Sequence, residues 1–393
     1  MLLALLPAFH ITLSLEGLKY TSRKFVTEEL CLEDFERAST QREVDSLVKD
    51  RQSQLLSTGV FIAVQGVGVI RDTHLLLAFQ FVEMPPVIPY PVLDYSDQTG
   101  WTYGLMASFL NLWGSGHALA AGGTLGGQKG LYISYMKPAT RGHRTLFKLK
   151  LGAGTESWKE PEINDVYQKA KLELGRAFVW PSVVSFGLAY ERHGFADSGY
   201  TYNPDNTDHL LISSLKWQNN GLDNPSEPTH GVFTEISAYR AQEMLSGGGF
   251  AGISVKAKAF ATQARTTVAT RAYVQIQSKE TPFYKQYYMG GLYALRSYEY
   301  PTERTSSRVL LTCELRNRIF TWTAPFSIPV NFYATPFAEA GSTGSGDNFV
   351  GNYMWGYGFI LGVFSVPTGF GSVDITYNQN SQWAWHGFVG WAF

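Results

Sequence analysis

The 393-residue chain has few cysteines, little charge and no long apolar run. Cys31 and Cys313 are its only two cysteines. They lie far apart and outside any metal-like spacing, so both read as unpaired thiols and no cysteine framework organises the fold. Charged residues make up 17% of the chain, against about 25% in an average soluble protein. The formal net charge of −1 gives no electrostatic reason to bind nucleic acid. No stretch of about 18 consecutive apolar residues is present, which excludes helical membrane spans. Disorder is excluded as well, because a chain that is 45% hydrophobic with almost no net charge does not repel itself. What is abundant is aromatic side chains, at 15%, and 39 glycines, yet mean hydropathy is only −0.11. That combination fits strands in which apolar residues alternate with polar ones.

The first residues, Met1-Leu-Leu-Ala-Leu-Leu-Pro-Ala-Phe9, resemble the tail of a secretory signal peptide but lack its basic start. Residues 1–10 are read as such a remnant, the alternatives being a late start codon or no signal at all. Residues 11–84 form an α+β segment of ordinary charge. Ile11, Leu13 and Leu15 alternate with Thr12, Ser14 and Glu16, the period of a half-buried strand. Ser22–Leu30 is helix-compatible, with Phe25, Val26 and Leu30 as its stripe. Gln41–Leu56 places Val44, Leu47, Val48 and Leu55 at helical spacing, and Gly59 closes it. Strands over 60–70 and 75–82 complete a β-α-α-β-β order. Met84-Pro85-Pro86 reads as a hinge.

From Pro85 onward the pattern is apolar–polar alternation over 8–12 positions, then a Gly-, Pro- or Asn-rich break. Sixteen candidate strands result, at about 87–95, 101–110, 117–125, 131–137, 144–152, 165–178, 183–192 and 209–218. The others are at 231–240, 252–261, 267–277, 309–319, 330–341, 353–365, 372–378 and 383–393. Lys148 and Lys150 oppose Phe147, Leu149 and Leu151; mid-strand lysines are costly against lipid but comfortable in a wet lumen. A soluble sandwich would alternate too. It would then expose Trp383, Trp385, Val389, Trp391 and Phe393 along one strand face, an aggregation hazard in water but an anchor in a bilayer. An even antiparallel barrel closes every backbone hydrogen bond inside lipid. The expected fold is therefore membrane all-β: a 16-stranded antiparallel outer-membrane β-barrel over 85–393, preceded by the α+β domain.

Several strings then resemble the outer-membrane protein assembly superfamily that includes BamA, TamA, the two-partner secretion transporters and the mitochondrial sorting-and-assembly barrel. Residues 11–84 resemble a polypeptide-transport-associated (POTRA) domain, down to Leu55-Leu-Ser-Thr-Gly-Val-Phe61. Asn111-Leu-Trp-Gly-Ser-Gly116 resembles the family's turn after the second barrel strand. Asp223 through Thr229-His-Gly231 resembles its Asp…Pro-Thr-x-Gly stretch. Most specific is Gly290-Gly-Leu-Tyr-Ala-Leu-Arg-Ser-Tyr298, which is similar to the Gly-Gly…Arg-Gly-(Phe/Tyr) signature of a loop folded into the lumen, here about 278–308. Ser297 stands where the family has Gly, which puts the tightness of the loop tip in question. Glu314-Leu-Arg316 and Phe337-Ala-Glu-Ala-Gly341 are similar to the two strands whose acids pair with the loop arginine. The resemblance thus implies a lock made by Leu295, Arg296, Ser297 and Tyr298 with Glu314 and Glu339. Arginine's planar fork remains charged and can engage two carboxylates at once, and a long loop needs such an anchor to offset its ordering entropy. The plainer alternative is an ordinary lumenal charge paired locally.

By this resemblance the expected function is that of a BamA-like assembly and insertion factor for outer-membrane β-barrels. It would take client chains by β-augmentation and through a lateral seam between the first strand (Val92, Leu93, Tyr95) and the last (Trp385, Trp391, Phe393). Pro89 and Pro91 weaken the first strand's ladder. The C-terminal aromatics resemble the recognition signal of such barrels, with Gly387 one position off. A polypeptide secretion transporter or pore of the same superfamily is the alternative, although one POTRA-like unit and no room for a plug helix count against the two-partner branch. No cofactor, metal site or catalytic constellation is recognised, and an enzyme is not expected. The expected partners are outer-membrane lipids, unfolded β-barrel or secreted client proteins, and periplasmic chaperones or accessory lipoproteins. The expected location is the bacterial outer membrane with the POTRA-like domain in the periplasm, ahead of a mitochondrial or plastid outer membrane.

Overall fold

The computed structural model describes all residues except 1–8, 97–98, 160–161, 197, 225–226, 292–293, 300–302, 325–327, 345–350, 366–368 and 391–393. Two units follow one another. The first contains β1 (His10–Glu16), α1 (Arg23–Leu30), α2 (Leu32–Glu36), α3 (Gln41–Ser57), β2 (Phe61–Arg71) and β3 (His74–Glu83). Its sheet runs β1-β3-β2, with β1 parallel and β2 antiparallel to the central β3. Alternation along β3 buries Leu75, Leu77, Phe79 and Phe81 beneath the helices, each contributing about 1.5–3 kcal/mol. Phe25, Val26, Leu30, Val44, Val48 and Leu55 complete this core from the helical side.

The helix ends follow from local chemistry. Ser22 caps α1 by accepting from the Phe25 amide at 3.1 Å. Thr40 and Glu43 form a capping box on α3. The helical layer has one element more than the sequence suggests. Cys31 adopts a left-handed conformation (φ 48°) that ends α1, and the five-residue α2 then turns Phe35 into the core.

The second unit is a closed antiparallel barrel of sixteen strands. They are β4 (Val87–Ser96), β5 (Gly100–Leu112), β6 (His117–Gly126), β7 (Gln128–Lys137), β8 (Thr145–Lys159), β9 (Glu162–Val179), β10 (Ser182–Gly194) and β11 (Thr207–Asn220). Next come β12 (Gly231–Glu243), β13 (Gly249–Gln263) and β14 (Thr266–Gln277). Among the described residues the short strands β15 (Tyr287–Met289) and β16 (Glu303–Thr305) pair only with each other. The barrel resumes with β17 (Ser307–Ala324), β18 (Ile328–Gly344), β19 (Tyr353–Ser365), β20 (Gly369–Asn378) and β21 (Trp383–Gly390).

Exposure decides which face is which. On β20, Val373 and Ile375 are 52% and 51% exposed outside, while Asp374 and Thr376 are 1% and 0% exposed inside. Trp383 and Trp385 also lie on the outer face, at 72% and 67%. A soluble sandwich would bury those apolar side chains and expose the aspartate. An apolar exterior around a polar interior is instead the arrangement of a barrel set in lipid.

The two units are fastened together at barrel turns. The carboxylate of Glu83 accepts from the amides of Lys19, Tyr20 and Thr21 at 2.6–2.9 Å. That organises the segment before α1 so that the Ser22 amide reaches Gly114 O at 3.0 Å and Asn111 Nδ2 reaches Thr21 Oγ1 at 2.8 Å. The 111–116 turn is therefore a docking site. The turn between β7 and β8 is another. Glu29, fully buried on α1, accepts from Thr140 Oγ1 and from the Gly142 amide. Arg51, also fully buried, bonds Leu30 O at 2.8 Å and shares Asp34 and Asp50 with Arg141 of the barrel.

The lumenal loop and the barrel seam

Between β14 and β17 the chain leaves the wall and enters the lumen. Its tip is a tight turn: the Ala294 amide bonds Gly291 O, the Tyr298 amide bonds Leu295 O, and the Gly291 amide closes on Tyr298 O at 2.8 Å. Leu295, Arg296, Ser297 and Tyr298 are 0%, 6%, 0% and 3% exposed. Leu295 packs with Met289, Leu310 and Met354, which inserts the tip into the wall as an apolar plug around a cation.

Arg296 donates to Glu314 Oε1 on β17. Its Nε lies 3.9 Å from Glu339 Oε2 on β18, and its Nη1 lies 3.7 Å from Asp374 Oδ2 on β20. The guanidinium also stacks 4.5 Å above the Phe337 ring. Glu314 is shared with Arg316 at 2.8 Å. Ser297 donates to Glu339 Oε1 through both its amide and its hydroxyl, each at 2.7 Å. Thr376 Oγ1 and His386 Nε2 meet Arg296 O at 3.3 and 2.6 Å, Asn378 Nδ2 meets Ser297 O at 3.0 Å, and Tyr298 donates to Trp355 O at 3.1 Å.

All six expected residues thus come together, and the neighbourhood contains more than the sequence suggested. Asp374, Thr376, Asn378 and His386 belong to the last two strands. No spacing in the sequence ties them to residue 296. Ser297 is accommodated because its backbone is outside the left-handed region and because Gly356 faces it. A Cβ on Gly356 would lie 2.1 Å from Ser297 Oγ.

A second attachment was not anticipated. At the shoulder of the loop, Tyr284 donates to Asp208 Oδ2 at 2.6 Å, and Lys285 bonds Glu191. His193 is 2% exposed, with Nδ1 at 2.7 Å from Asp165 and Nε2 at 3.1 Å from Glu191. Arg304 stacks 3.9 Å from the Phe283 ring centroid and 4.6 Å from that of Trp158. The loop therefore reaches from the β9–β11 wall to the β17–β20 wall as a bar across the lumen. Cavities of about 400 and 350 Å³ are associated with these two attachments. The larger is lined by Arg271, Arg296, Arg308 and Asp374, the smaller by Lys171, Glu191, Lys216 and Lys285. Among the described residues no group of three or more His, Cys, Asp or Glu side chains could hold a metal ion.

Asp223 explains the Asp…Thr-His-Gly string. Its carboxylate accepts from the amides of Asn224, Thr229 and His230 at 2.9–3.0 Å, closing the turn before β12.

Among the described residues the seam is the shortest joint of the barrel. β4 pairs with β5 from Val87 to Ser96, whereas β21 meets β4 among the described residues only at Phe388–Asp94 and Val389–Leu93. Pro89 and Pro91 lie in β4. Val92 is half-buried, and Leu93 and Tyr95 are 43% and 40% exposed. Trp385 faces outward; Trp391 and Phe393 lie outside the described residues.

Solved structures of the same fold include BamA from Haemophilus ducreyi lacking POTRA domains 1–3. It is 15% identical, with 97% of this chain and 84% of that chain covered and a TM-score of 0.61. CdiB from Escherichia coli is 14% identical over 98% of this chain and 76% of that chain, with a TM-score of 0.63. CdiB from Acinetobacter baumannii is 13% identical over 97% and 73%, with a TM-score of 0.59. No curated protein matches the sequence. Residues 111–384 match the Omp85 superfamily domain, covering most of the barrel and including the Arg296 loop with its three acids, and the chain belongs to that superfamily.

Proposed function

We propose that this protein assembles and inserts other β-barrels in the bacterial outer membrane, with the POTRA-like domain on the periplasmic side. The observation that carries this reading is the seam. A lateral opening requires one joint far weaker than the rest, and among the described residues β4–β21 is joined at two residue pairs where the neighbouring joint has ten. Each backbone hydrogen bond contributes about 0.5–1.5 kcal/mol, and proline in β4 removes donors that a full ladder would use. Opening this seam exposes an edge inside the membrane on which a client strand can form. The POTRA-like sheet, held by Glu29 and Arg141 against the barrel turns, is the first edge such a client meets. Arg296 and its acids hold the loop in the lumen and so support the wall next to the seam. The partners in this reading are membrane lipids, unfolded barrel clients, and periplasmic chaperones or accessory lipoproteins.

The test is a disulfide between cysteines placed at Leu93 and Val389, combined with depletion of the native protein. Loss of many outer-membrane barrels on depletion, rescued by the reduced but not the oxidised variant, is the expected result. Loss of one secreted protein alone would make the protein a dedicated secretion transporter. Rescue by the oxidised staple would reject a lateral opening.

A further inference from the structure

The POTRA-like sheet has two edges, β1 and β2, and they are not equivalent. On β2 the outward groups belong to alternate residues, Val64, Gly66, Gly68 and Ile70. Gln41, the first residue of α3, donates from Nε2 to Gly68 O at 2.6 Å and accepts from the Ile70 amide at 3.0 Å. A glutamine side chain ends in an amide, so it supplies the same donor and acceptor that a paired strand would offer. Gln52 adds a contact to Val64 O at 3.4 Å. Gly66 and Gly68 let α3 sit close enough for this, since a Cβ at either would meet Val48 or Val44 within 3.0 Å. The β2 edge is already largely occupied by side chains of the domain's own helix.

The β1 edge is different. The His10 amide bonds Thr73 O on the β3 side, so Ile11, Leu13 and Leu15 turn their peptide groups outward. Leu15 O has a distant contact with Arg23 at 3.5 Å. Among the described residues the outward groups of Ile11 and Leu13 have no partner. Their side chains, with Phe9, lie on the helix-facing side of the sheet and remain only partly buried, whereas Leu15 is 8% exposed. Thr12 and Ser14 on the opposite face are exposed. An added strand would therefore lay one side chain row over Phe9, Ile11 and Leu13 and the other beside Thr12 and Ser14.

We propose that β1, not β2, is the edge that accepts an extended polypeptide, and that its preferred occupant is a two-faced strand with apolar and polar residues in alternation. This is the character of a membrane β-strand before insertion. The inference rests on strand capture in the proposed function and specifies where it happens. Gln41 acts as a side-chain plug that keeps β2 closed.

Hydrogen exchange by mass spectrometry on the full chain in detergent tests this, with a synthetic peptide of sequence 382–393 as the probe. Without peptide the Ile11 and Leu13 amides exchange rapidly. With it, exchange across 10–16 slows by about tenfold while 61–71 is unchanged. In Gln41→Ala the peptide also slows 61–71, because the plug is gone; Thr40 and Glu43 still cap α3. Protection of 61–71 in the wild type, alone or equal to that of 10–16, overturns the assignment to β1 and leaves strand capture standing. Protection at neither edge overturns both.

Discussion

Replacing Arg296 with alanine removes the cation that pairs with three acids from three strands. Glu314 keeps Arg316 at 2.8 Å, so its charge remains compensated. Glu339 keeps the Ser297 bonds only as long as the tip stays docked. Asp374, 1% exposed, has no other cation among the ion pairs described. Breaking a buried pair by deleting one partner costs about 3–5 kcal/mol. Because Arg316 compensates one of the three acids, the lower end applies, about 3 kcal/mol, or roughly a hundredfold in the docked-to-undocked ratio of the tip. The assay is hydrogen exchange of a segment spanning 294–298 in detergent, read beside heat-modifiable gel mobility as a measure of barrel closure. Tip exchange should rise by about two orders of magnitude at constant pH, with the shoulder at 280–286 little changed. High salt should matter little, because the pair is shielded from bulk ions. Arg296→Ala combined with Asp374→Asn should recover part of the loss by removing the uncompensated charge. Wild-type exchange in Arg296→Ala would refute the lock and leave Arg296 an ordinary lumenal charge.

The Ser297–Gly356 pair provides a swap. Gly356→Ala forces a Cβ against Ser297 Oγ and should cost about 1–3 kcal/mol by overpacking, while adding Ser297→Gly should relieve the clash; tip exchange and thermal unfolding read both. His193→Leu leaves Asp165 and Glu191 facing an apolar side chain and should free the 280–286 shoulder while the tip stays protected, as segment-resolved exchange will tell. Arg51→Ala removes a fully buried guanidinium shared by Asp34, Asp50 and Leu30 O and should cost about 3–5 kcal/mol, seen as proteolysis between the α+β domain and the barrel. The Ser39 amide, with the Ser39 hydroxyl and Thr40, holds the Glu43 carboxyl below its usual range. Its contribution is therefore present above the ordinary carboxylate value and lost as pH falls through the lowered one. Helix α3 should begin to fray at its start only on acidification, and Glu43→Gln should remove that pH dependence in exchange of residues 40–44.

Strand alternation made the barrel readable. A period of two puts lipid-facing and lumen-facing residues on fixed sides, so the sixteen strands and even the outward tryptophans follow from the chain. The helical spacing of Val44, Leu47, Val48 and Leu55 announced α3 in the same local way, although the left-handed break at Cys31 that creates α2 has no comparable signal. The resemblance of 290–298 pointed to Arg296, Glu314 and Glu339. It did not reveal Asp374 or the bond from His386, because these come from β20 and β21, and the sequence separation carries no information about which inward residues the loop tip meets.

Local chemistry, then, sufficed for what depends on neighbours in the chain: strand period, helix caps, turn glycines and the sign of each face. Closure decided the rest. Only after the barrel wraps round do the first and last strands meet, at a joint of two residue pairs among the described residues. Only then does the loop find carboxylates on opposite walls, and only the packing of α3 over the small sheet puts Gln41 on one edge while the other has no such partner among the described residues. Those features depend on distances through space between residues remote in sequence, and tertiary structure alone sets such distances.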